Sequence, residues 1–340
     1  MVGYRCRMPR DTFGRPMRDL RISVTDRCSF RCTYCMPREI YDDHEYLARS
    51  EILTYGEIAR FARIATNFGV EKIRLTGGEP LLRREVETLV AELATIEGVN
   101  DLAMTTNGHL LAKHAPMLAE AGLDRVTVSL DGVDDDVVLK MIDTDVSVAA
   151  ILDAIDAAAD AGLGPIKINA VVRRGWNEGQ IVPLIEHFRG TGHTVRFIEY
   201  MDVGTTNSWN PDEVVRSADI LEQLSERWTL VPVDEAYVGE VASRYRFEDG
   251  QGEIGFISSV SEPFCGDCSR LRLAADGTVY TCLFASGGTD IKTPMRAGAS
   301  DEELGGILSD LWAGRDDRYS ELRGAVPIDF PRIEMSYIGG

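Results

Sequence analysis

Six of the seven cysteines in this 340-residue chain fall into two triplets. Cys28, Cys32 and Cys35 lie in the run Cys28-Ser29-Phe30-Arg31-Cys32-Thr33-Tyr34-Cys35, and Cys265, Cys268 and Cys282 lie far down the chain. Three thiolates can hold a [4Fe–4S] cube by three of its irons and leave the fourth for another ligand. An open metal position separates a reacting site from a structural one, and a structural zinc site wants four closed ligands. Neither triplet supplies four cysteines, so the spacing points to chemistry at two iron–sulfur clusters. A zinc knuckle completed by a remote His or Asp is the alternative. Cys6 is left over as a free thiol with no assigned role.

Other residues suggest what such clusters would act on. In Gly77-Gly78-Glu79-Pro80 the paired glycines let backbone approach a ligand closely, and Pro80 stiffens the exit. Arg270 and Arg272 follow Cys268 on a short alternating run, so they face the same side of a strand. Paired guanidinium groups beside a metal cluster suit a phosphate-rich anion. Lys167, between Ile166 and Ile168, is a poor core residue, and a lumen holding an anion accounts for it. The acidic run from Asp131 to Asp136 lacks an EF-hand layout and reads as a solvated loop. His44, His109, His114, His187 and His193 form no ligand pattern.

These residues need a scaffold, and the first two-thirds of the chain alternate between strand and helix signals. Strands are expected at Leu20–Thr25, Glu71–Thr76, Asp101–Thr106, Arg125–Leu130, Ile166–Val172 and Val195–Tyr200. Helices are expected at Tyr55–Phe68, Arg84–Ile96, Leu111–Ala121, Val148–Ala161, Glu178–Phe188 and Ala218–Arg227. Six β-α units imply an α/β fold with a parallel sheet and outer helices. Six fall short of the eight of a closed barrel, which favours a partial (βα)6 barrel over a doubly wound sheet. The cysteine loop, the Gly-Gly turn, Asn107-Gly108 and Ser129 all follow or end strands, where such folds bind ligands. Past Val231 the runs shorten, and Asp276-Gly277 signals a hairpin. The expected division is a barrel over residues 1–230 and a C-terminal extension over 231–340 that carries the second triplet and packs over the open end.

A net charge of −19 argues against nucleic-acid or anionic-membrane partners. No run reaches the ~18 apolar residues of a membrane span, and the N-terminus lacks the pattern of a secretory signal. Spaced thiols fit a reducing cytosol, so a cytoplasmic protein is expected.

The Cys-x3-Cys-x2-Cys loop after a first strand resembles the radical S-adenosylmethionine superfamily, whose partial barrel begins with this signature. The Gly-Gly-Glu-Pro turn resembles the motif that holds the amino group of S-adenosylmethionine there. The Arg270-Leu271-Arg272 run inside the second triplet narrows the match. So do the stretches Asp19–Cys28, Ile73–Leu81, Thr105–Gly108 and the terminal Met335–Gly340. With them the chain resembles the GTP 3′,8-cyclase family of molybdenum cofactor biosynthesis.

That resemblance implies two [4Fe–4S] clusters and S-adenosylmethionine as cofactors, with Cys28, Cys32 and Cys35 at the first cluster and Cys265, Cys268 and Cys282 at the second. It implies Tyr34, Gly78, Ser129 and Met201 at S-adenosylmethionine. It implies Arg21, Arg74, Thr105, Lys167, Arg270, Leu271 and Arg272 at GTP. It gives Arg21, Gly339 and Gly340 catalytic parts, the tail reaching into the active site. The implied reaction abstracts the 3′ hydrogen of GTP with a 5′-deoxyadenosyl radical and closes the sugar carbon onto guanine C8. The implied partners are an external electron donor, a downstream pyranopterin synthase and a second copy of the chain. Three rivals differ in testable ways: another radical enzyme acting on a peptide or different small molecule, an iron–sulfur electron carrier, and a zinc-binding interaction module.

Overall fold

Alternation along the strands sorts charged from apolar side chains. In Lys72-Ile73-Arg74-Leu75-Thr76, Ile73 and Leu75 are fully buried in the main core, while Lys72, Arg74 and Thr76 line internal cavities. Successive residues of a strand face opposite sides, so one face packs under helices and the other faces a lumen. The computed structural model describes residues 8–237, 239–323 and 332–339. Cys6 and Gly340 lie outside the described residues.

Six strands form the parallel centre: β1 (Asp19–Ser23), β2 (Lys72–Thr76), β3 (Asp101–Thr106), β4 (Arg125–Ser129), β5 (Lys167–Val172) and β6 (Thr194–Glu199), paired in sequence order. Helices Tyr55–Thr66, Val86–Ala94, Leu111–Glu120, Val148–Asp160 and Ile181–Phe188 connect them, and Ser217–Ser225 follows the last. The helix Tyr55–Thr66 starts at a reciprocal capping box between Thr54 and Glu57. Its buried stripe, including Ile58, Phe61 and Ile64, joins Leu20, Ile22 and Ile73 in one core.

The C-terminal region extends the sheet at both edges and walls the lumen through residues such as Ile257, Phe264 and Phe284. Strands β7 (Leu230–Val233), β8 (Ser243–Phe247) and β9 (Glu253–Ile257) extend the sheet beyond β6. Strands β10 (Arg270–Leu273), β11 (Thr278–Tyr280) and β12 (Thr289–Asp290) extend it beyond β1. Both edges of a partial barrel carry unpaired backbone groups, and adding strands satisfies them. Because β9 runs parallel to β6 and β10 parallel to β1, the chain from residue 258 to 269 leaves the C-terminal ends of the strands. It returns at the N-terminal end, where Arg270 pairs with Asp19. Cys265 and Cys268 ride on this crossing.

Candidate active site

The first triplet sits past the C-terminal end of β1, in one cavity with Gly77, Gly78, Asn107, Ser129 and Asp131. The main-chain N–H groups of Cys35 and Met36 both donate to Cys32 O at 2.9 Å, coiling the loop. Cys28 Sγ accepts from Phe30 N–H at 3.4 Å and from Asn107 Nδ2 at 3.9 Å. Burial, with the Glu79 carboxylate adding to it, pushes the Cys28 thiol up to about 11. Burial also raises Cys32 and Cys35, and each is raised further by a neighbouring cysteine. Three thiols that oppose one another's ionisation fit a cationic metal centre, which deprotonates a coordinating thiol outright.

The glycines beside them have a steric reason. A Cβ on Gly78 would collide with Arg27 O, and one on Gly77 would lie 2.6 Å from Thr25 O. The cysteine loop therefore lies directly on the Gly-Gly turn, held by Gly78 N–H to Thr25 O at 2.8 Å and Glu79 N–H to Arg27 O at 2.7 Å. Glu79 is buried and accepts from Leu81 N–H, Thr106 Oγ1 and Asn107 N–H at 2.7–3.0 Å. Burial pushes its carboxyl up to about 7.

The acidic run is solvated at Asp134, Asp135 and Asp136, as its composition suggested, but not at its start. Asp131 is buried, accepts from Tyr34 O–H and from Val171 N–H at 2.8 Å each, and is pushed by burial up to about 6. Asp134 caps the helix Asp135–Ile142 by accepting from Asp136 N–H. One residue ties down the cysteine loop and its neighbours start a helix, two roles that composition alone does not separate.

The second triplet gathers at the other end of the lumen. Cys265, Cys268 and Cys282 line one cavity with Arg21, Arg74, Thr105, Arg196, Arg270 and Arg272. Arg270 Nη2 donates to Cys268 Sγ at 3.3 Å, and Phe284 N–H donates to Cys282 Sγ at 3.4 Å. Burial opposes ionisation of Cys268, but Arg270 and Arg315 prevail and hold its thiol down at about 6. Burial, with the Asp317 carboxylate adding to it, pushes Cys282 up to about 12. Donors aimed at sulfur and guanidinium groups around a thiolate fit the anionic ligand set of an iron–sulfur cluster. Thr105, Asn169, Val171, Ile198 and Met335 line both cavities, so the two triplets face one continuous lumen.

The part of that lumen beside the second triplet, with the cavity adjoining it, is strongly basic. Burial lowers Arg21, helped by Arg272, Arg74 and Arg270. Burial takes Lys167 down to about 7, with Arg196, Arg125, Lys72 and Arg74 adding repulsion. Arg196 falls to about 9 and Arg272 to about 10, again through burial first and neighbouring guanidinium groups second. Arg74 Nη1 donates to Thr105 Oγ1 and Thr127 Oγ1 at 3.1 Å each. Asp19 and Asp101 flank Lys72. Crowded cations out of bulk water are costly without an anion.

Among the residues expected at GTP, Arg21, Arg74, Thr105, Lys167, Arg270 and Arg272 line this lumen. Leu271 departs from that set. It is fully buried in the outer core, because alternation turns its side chain away from the face of Arg270 and Arg272. Ser129 lines the cavity of the first triplet, whereas Met201 lines that of the second. Sequence reasoning missed Lys72, Arg125 and Arg196. Their signal was available, since each is a cation on the polar face of a strand that alternates polar and apolar residues.

The C-terminal tail enters the lumen between the triplets. Glu334 accepts from Thr205 N–H, Thr205 Oγ1 and Thr206 Oγ1 at 2.8 Å each, and Arg332 donates to Asp202 Oδ2 at 2.8 Å. Beyond these clasps Ile338 is fully buried, and the carbonyl of Gly339 accepts from the Arg272 guanidinium. Gly339 has φ +73°, and a Cβ there would collide with the Thr76 side chain.

Comparison with known proteins decides the family. Residues 22–188 match the Radical SAM superfamily and residues 193–321 match Molybdenum Cofactor Synthesis C. A GTP 3′,8-cyclase of Xanthomonas axonopodis pv. citri is 51% identical over 97% of this chain and 98% of its own length. Its counterpart in Acidothermus cellulolyticus is 49% identical over 97% and 99%. The chain belongs to the GTP 3′,8-cyclase family. A GTP 3′,8-cyclase of Staphylococcus aureus, 46% identical over 97% of this chain and 98% of its own length, extends the likeness to a distant bacterium. Streptococcus suis SuiB, solved with S-adenosylmethionine, shares the fold at a TM-score of 0.62, covering 91% of this chain and 68% of its own, at 15% identity. Membership makes this chain a radical S-adenosylmethionine enzyme of molybdenum cofactor biosynthesis, and it excludes the zinc module and the simple electron carrier.

Proposed function

We propose that the basic lumen between the two triplets holds GTP while it is cyclised between C3′ of the ribose and C8 of guanine. The chain is a GTP 3′,8-cyclase, and its cofactors are two [4Fe–4S] clusters and S-adenosylmethionine. Cys28, Cys32 and Cys35 would hold the first cluster, and Cys265, Cys268 and Cys282 the second. With the first cluster bound, the site supplies the electron for reductive cleavage of S-adenosylmethionine.

The observation that carries this reading is the set of buried guanidinium groups sharing the second triplet's cavity, Arg21, Arg74, Arg270 and Arg272, with Lys167 pushed down to about 7 in the adjoining cavity. A triphosphate would neutralise Arg21, Arg74, Lys167, Arg270 and Arg272, and its burial would then cost far less than an isolated ion's. Tyr34, Gly78, Ser129 and Met201 form the S-adenosylmethionine side. Tyr34 acts through its bond to Asp131, and Gly78 by letting the cysteine loop close down. Gly339 brings main-chain groups beside Arg272 and Thr76, so the tail excludes water and narrows the space open to the ribose. Arg21 and Gly339 take the catalytic parts at the sugar, together with Gly340, which lies outside the described residues.

An external donor supplies the electron, and a pyranopterin synthase takes the product. The working unit is a homodimer in the cytoplasm, with the barrel over 1–230 and the second-cluster region over 231–340. The test is product analysis after anaerobic reconstitution, with S-adenosylmethionine and dithionite, with and without GTP. A cyclised GTP isomer with GTP-stimulated 5′-deoxyadenosine is expected. Cleavage of S-adenosylmethionine with GTP unchanged would retain the radical class and reject GTP as substrate.

A further inference from the structure

Three side chains to which the proposed function gives no contact with GTP or S-adenosylmethionine meet behind the second triplet. Asp11 and Arg15 come from the segment before β1, and Arg315 from just past the helix Asp301–Ala313. All three are at least nine-tenths buried. Asp11 Oδ2 accepts from Arg15 Nε at 2.5 Å and from Arg315 Nη1 at 3.0 Å. Its Oδ1 accepts from the main-chain N–H groups of Phe13 and Arg15. One carboxylate thus fixes two guanidinium groups at once. The indole of Trp312, fully buried, donates to Arg15 O at 3.0 Å and lies under the Arg315 guanidinium.

The free edges of both guanidinium groups point at the backbone that carries the cysteines. Arg15 Nη1 donates to Cys265 O at 2.6 Å and to Asp317 O at 3.0 Å. Arg315 Nη1 donates to Cys268 O at 2.7 Å, and its Nε donates to Thr281 O at 3.1 Å, one residue before Cys282. Every cysteine of the triplet therefore has its own or the preceding carbonyl held by this unit. The segment that carries Cys265 and Cys268 belongs to no helix or strand, and Cys282 follows a three-residue strand, so regular structure does little to fix them. A bidentate guanidinium fork fixes direction as well as distance.

We propose that Asp11, Arg15 and Arg315 are positioning residues for the second cluster, aligning the three cysteines from behind before any ligand is bound. This rests on the reading that Cys265, Cys268 and Cys282 hold that cluster. The first triplet is held differently: Arg31, paired with the exposed Asp42, donates to Cys28 O at 3.1 Å, and its other supports are main-chain bonds, the Gly-Gly turn, Glu79, Asn107 and the Tyr34–Asp131 bond, so that among the described residues no bond from Asp11, Arg15 or Arg315 reaches it. Damage to the unit should fall on one cluster alone. Outer partners of metal ligands typically change metal affinity by about 10–100-fold when replaced.

The experiment reconstitutes the full chain anaerobically and compares wild type with Asp11→Asn and Arg315→Lys. Chelator-driven loss of each cluster is followed by electron paramagnetic resonance. In both variants the second cluster should be lost about 10–100-fold faster, with the first cluster's signal and release rate unchanged. A second readout needs no cluster: in the iron-free chain, alkylation of Cys265, Cys268 and Cys282 should quicken while Cys28, Cys32 and Cys35 keep wild-type rates. Wild-type release rates and alkylation would overturn the proposal. So would equal loss of both clusters in both variants, which marks a general structural role. If wild type itself takes only one cluster, the reading of the second triplet fails, and alkylation decides the positioning role: selective quickening upholds it and unchanged rates reject it.

Discussion

The two cysteine triplets are built from opposite materials. The first is compact in sequence, spans eight residues and lies against acids: Glu79 opposes ionisation of Cys28, and Asp131 opposes that of Cys32. The second is assembled from a crossing segment and a strand end, and arginines crowd it, so that Cys268 sits at about 6. Burial acts on both; arginines overcome it at Cys268, whereas Cys282, like Cys28, is raised further by a carboxylate, that of Asp317. Within the proposed reading, the buried Asp131 on the wall of the first cavity suits a cationic part of S-adenosylmethionine, and the arginines of the second suit a triphosphate.

The sharpest way to break this comparison is to remove one thiol at each end. Cys28→Ala should abolish formation of 5′-deoxyadenosine. Cys282→Ala should retain much of the uncoupled cleavage while yielding no cyclised nucleotide. Chromatography with mass detection reads both products. Cyclised product from either variant, or loss of cleavage in both, would erase the division of labour.

Next in size is the charge of the lumen. Arg74 is buried and donates to Thr105 and Thr127, so Arg74→Met removes a cation and leaves two hydroxyls short of a donor. Truncating one partner of a buried charge pair typically costs about 2–5 kcal/mol, which is roughly 30- to 5,000-fold in Kd. Calorimetry should show GTP binding weakened within that range and S-adenosylmethionine binding little changed. Equal loss for both ligands would mean that the lumen is not divided.

The barrel was legible because its signal is local and repeated. Lys72–Thr76 and Lys167–Val172 announce themselves by alternation and β-branched residues, and each lies within a residue of its expected bounds. At the edges the hairpin of β10 and β11 was legible from Asp276-Gly277, but the docking of β10 on β1 and of β9 on β6 was not, since those partners lie far away in sequence. The roles of Asp131 and Asp11 were hidden for the same reason. An aspartate's partners, Tyr34 and Val171 or Arg15 and Arg315, are chosen by the fold, and nothing in an acidic run or an N-terminal segment marks which carboxylate will be buried. Leu271 shows the reverse: its neighbours are both site residues, yet strand alternation sends it to the core.

The tail tests whether the two ends of the lumen communicate. Gly339 lies at φ +73°, and Ala there would meet Thr76 as well as backbone strain. Gly339→Ala should displace the Arg272 contact and lower cyclisation by about tenfold or more, since a misplacement near 1 Å can cost about 100-fold. Uncoupled cleavage and iron content should stay near wild type. Adding one residue after Gly340 should act in the same direction, and unchanged turnover in both variants would remove the tail from the active site.

The smallest effect expected is a pH dependence, and it isolates one lysine. Lys167 is held at about 7, below the ordinary 10.5, by burial and by Arg196, Arg125, Lys72 and Arg74. Asp19 and Glu240 are the acids in the same cavity. A bound triphosphate favours the charged ammonium and raises the pKa of Lys167, so binding above pH 7 takes up a proton. The Kd for GTP should then rise by up to about tenfold per pH unit above 7, levelling off once the raised pKa is passed. Phosphate ionisation, with a pKa of about 6, is complete over most of that window and does not mimic the trend. For folding, the lowered pKa means the unfolded chain binds more protons between about 7 and 10.5. Lys167 therefore destabilises the empty protein most below pH 7, and less as pH rises through that range. Calorimetry in buffers of different ionisation enthalpy measures the proton uptake directly. Lys167→Met should bind GTP more weakly and lose that uptake; an unchanged pH slope in the variant would assign the proton to another group.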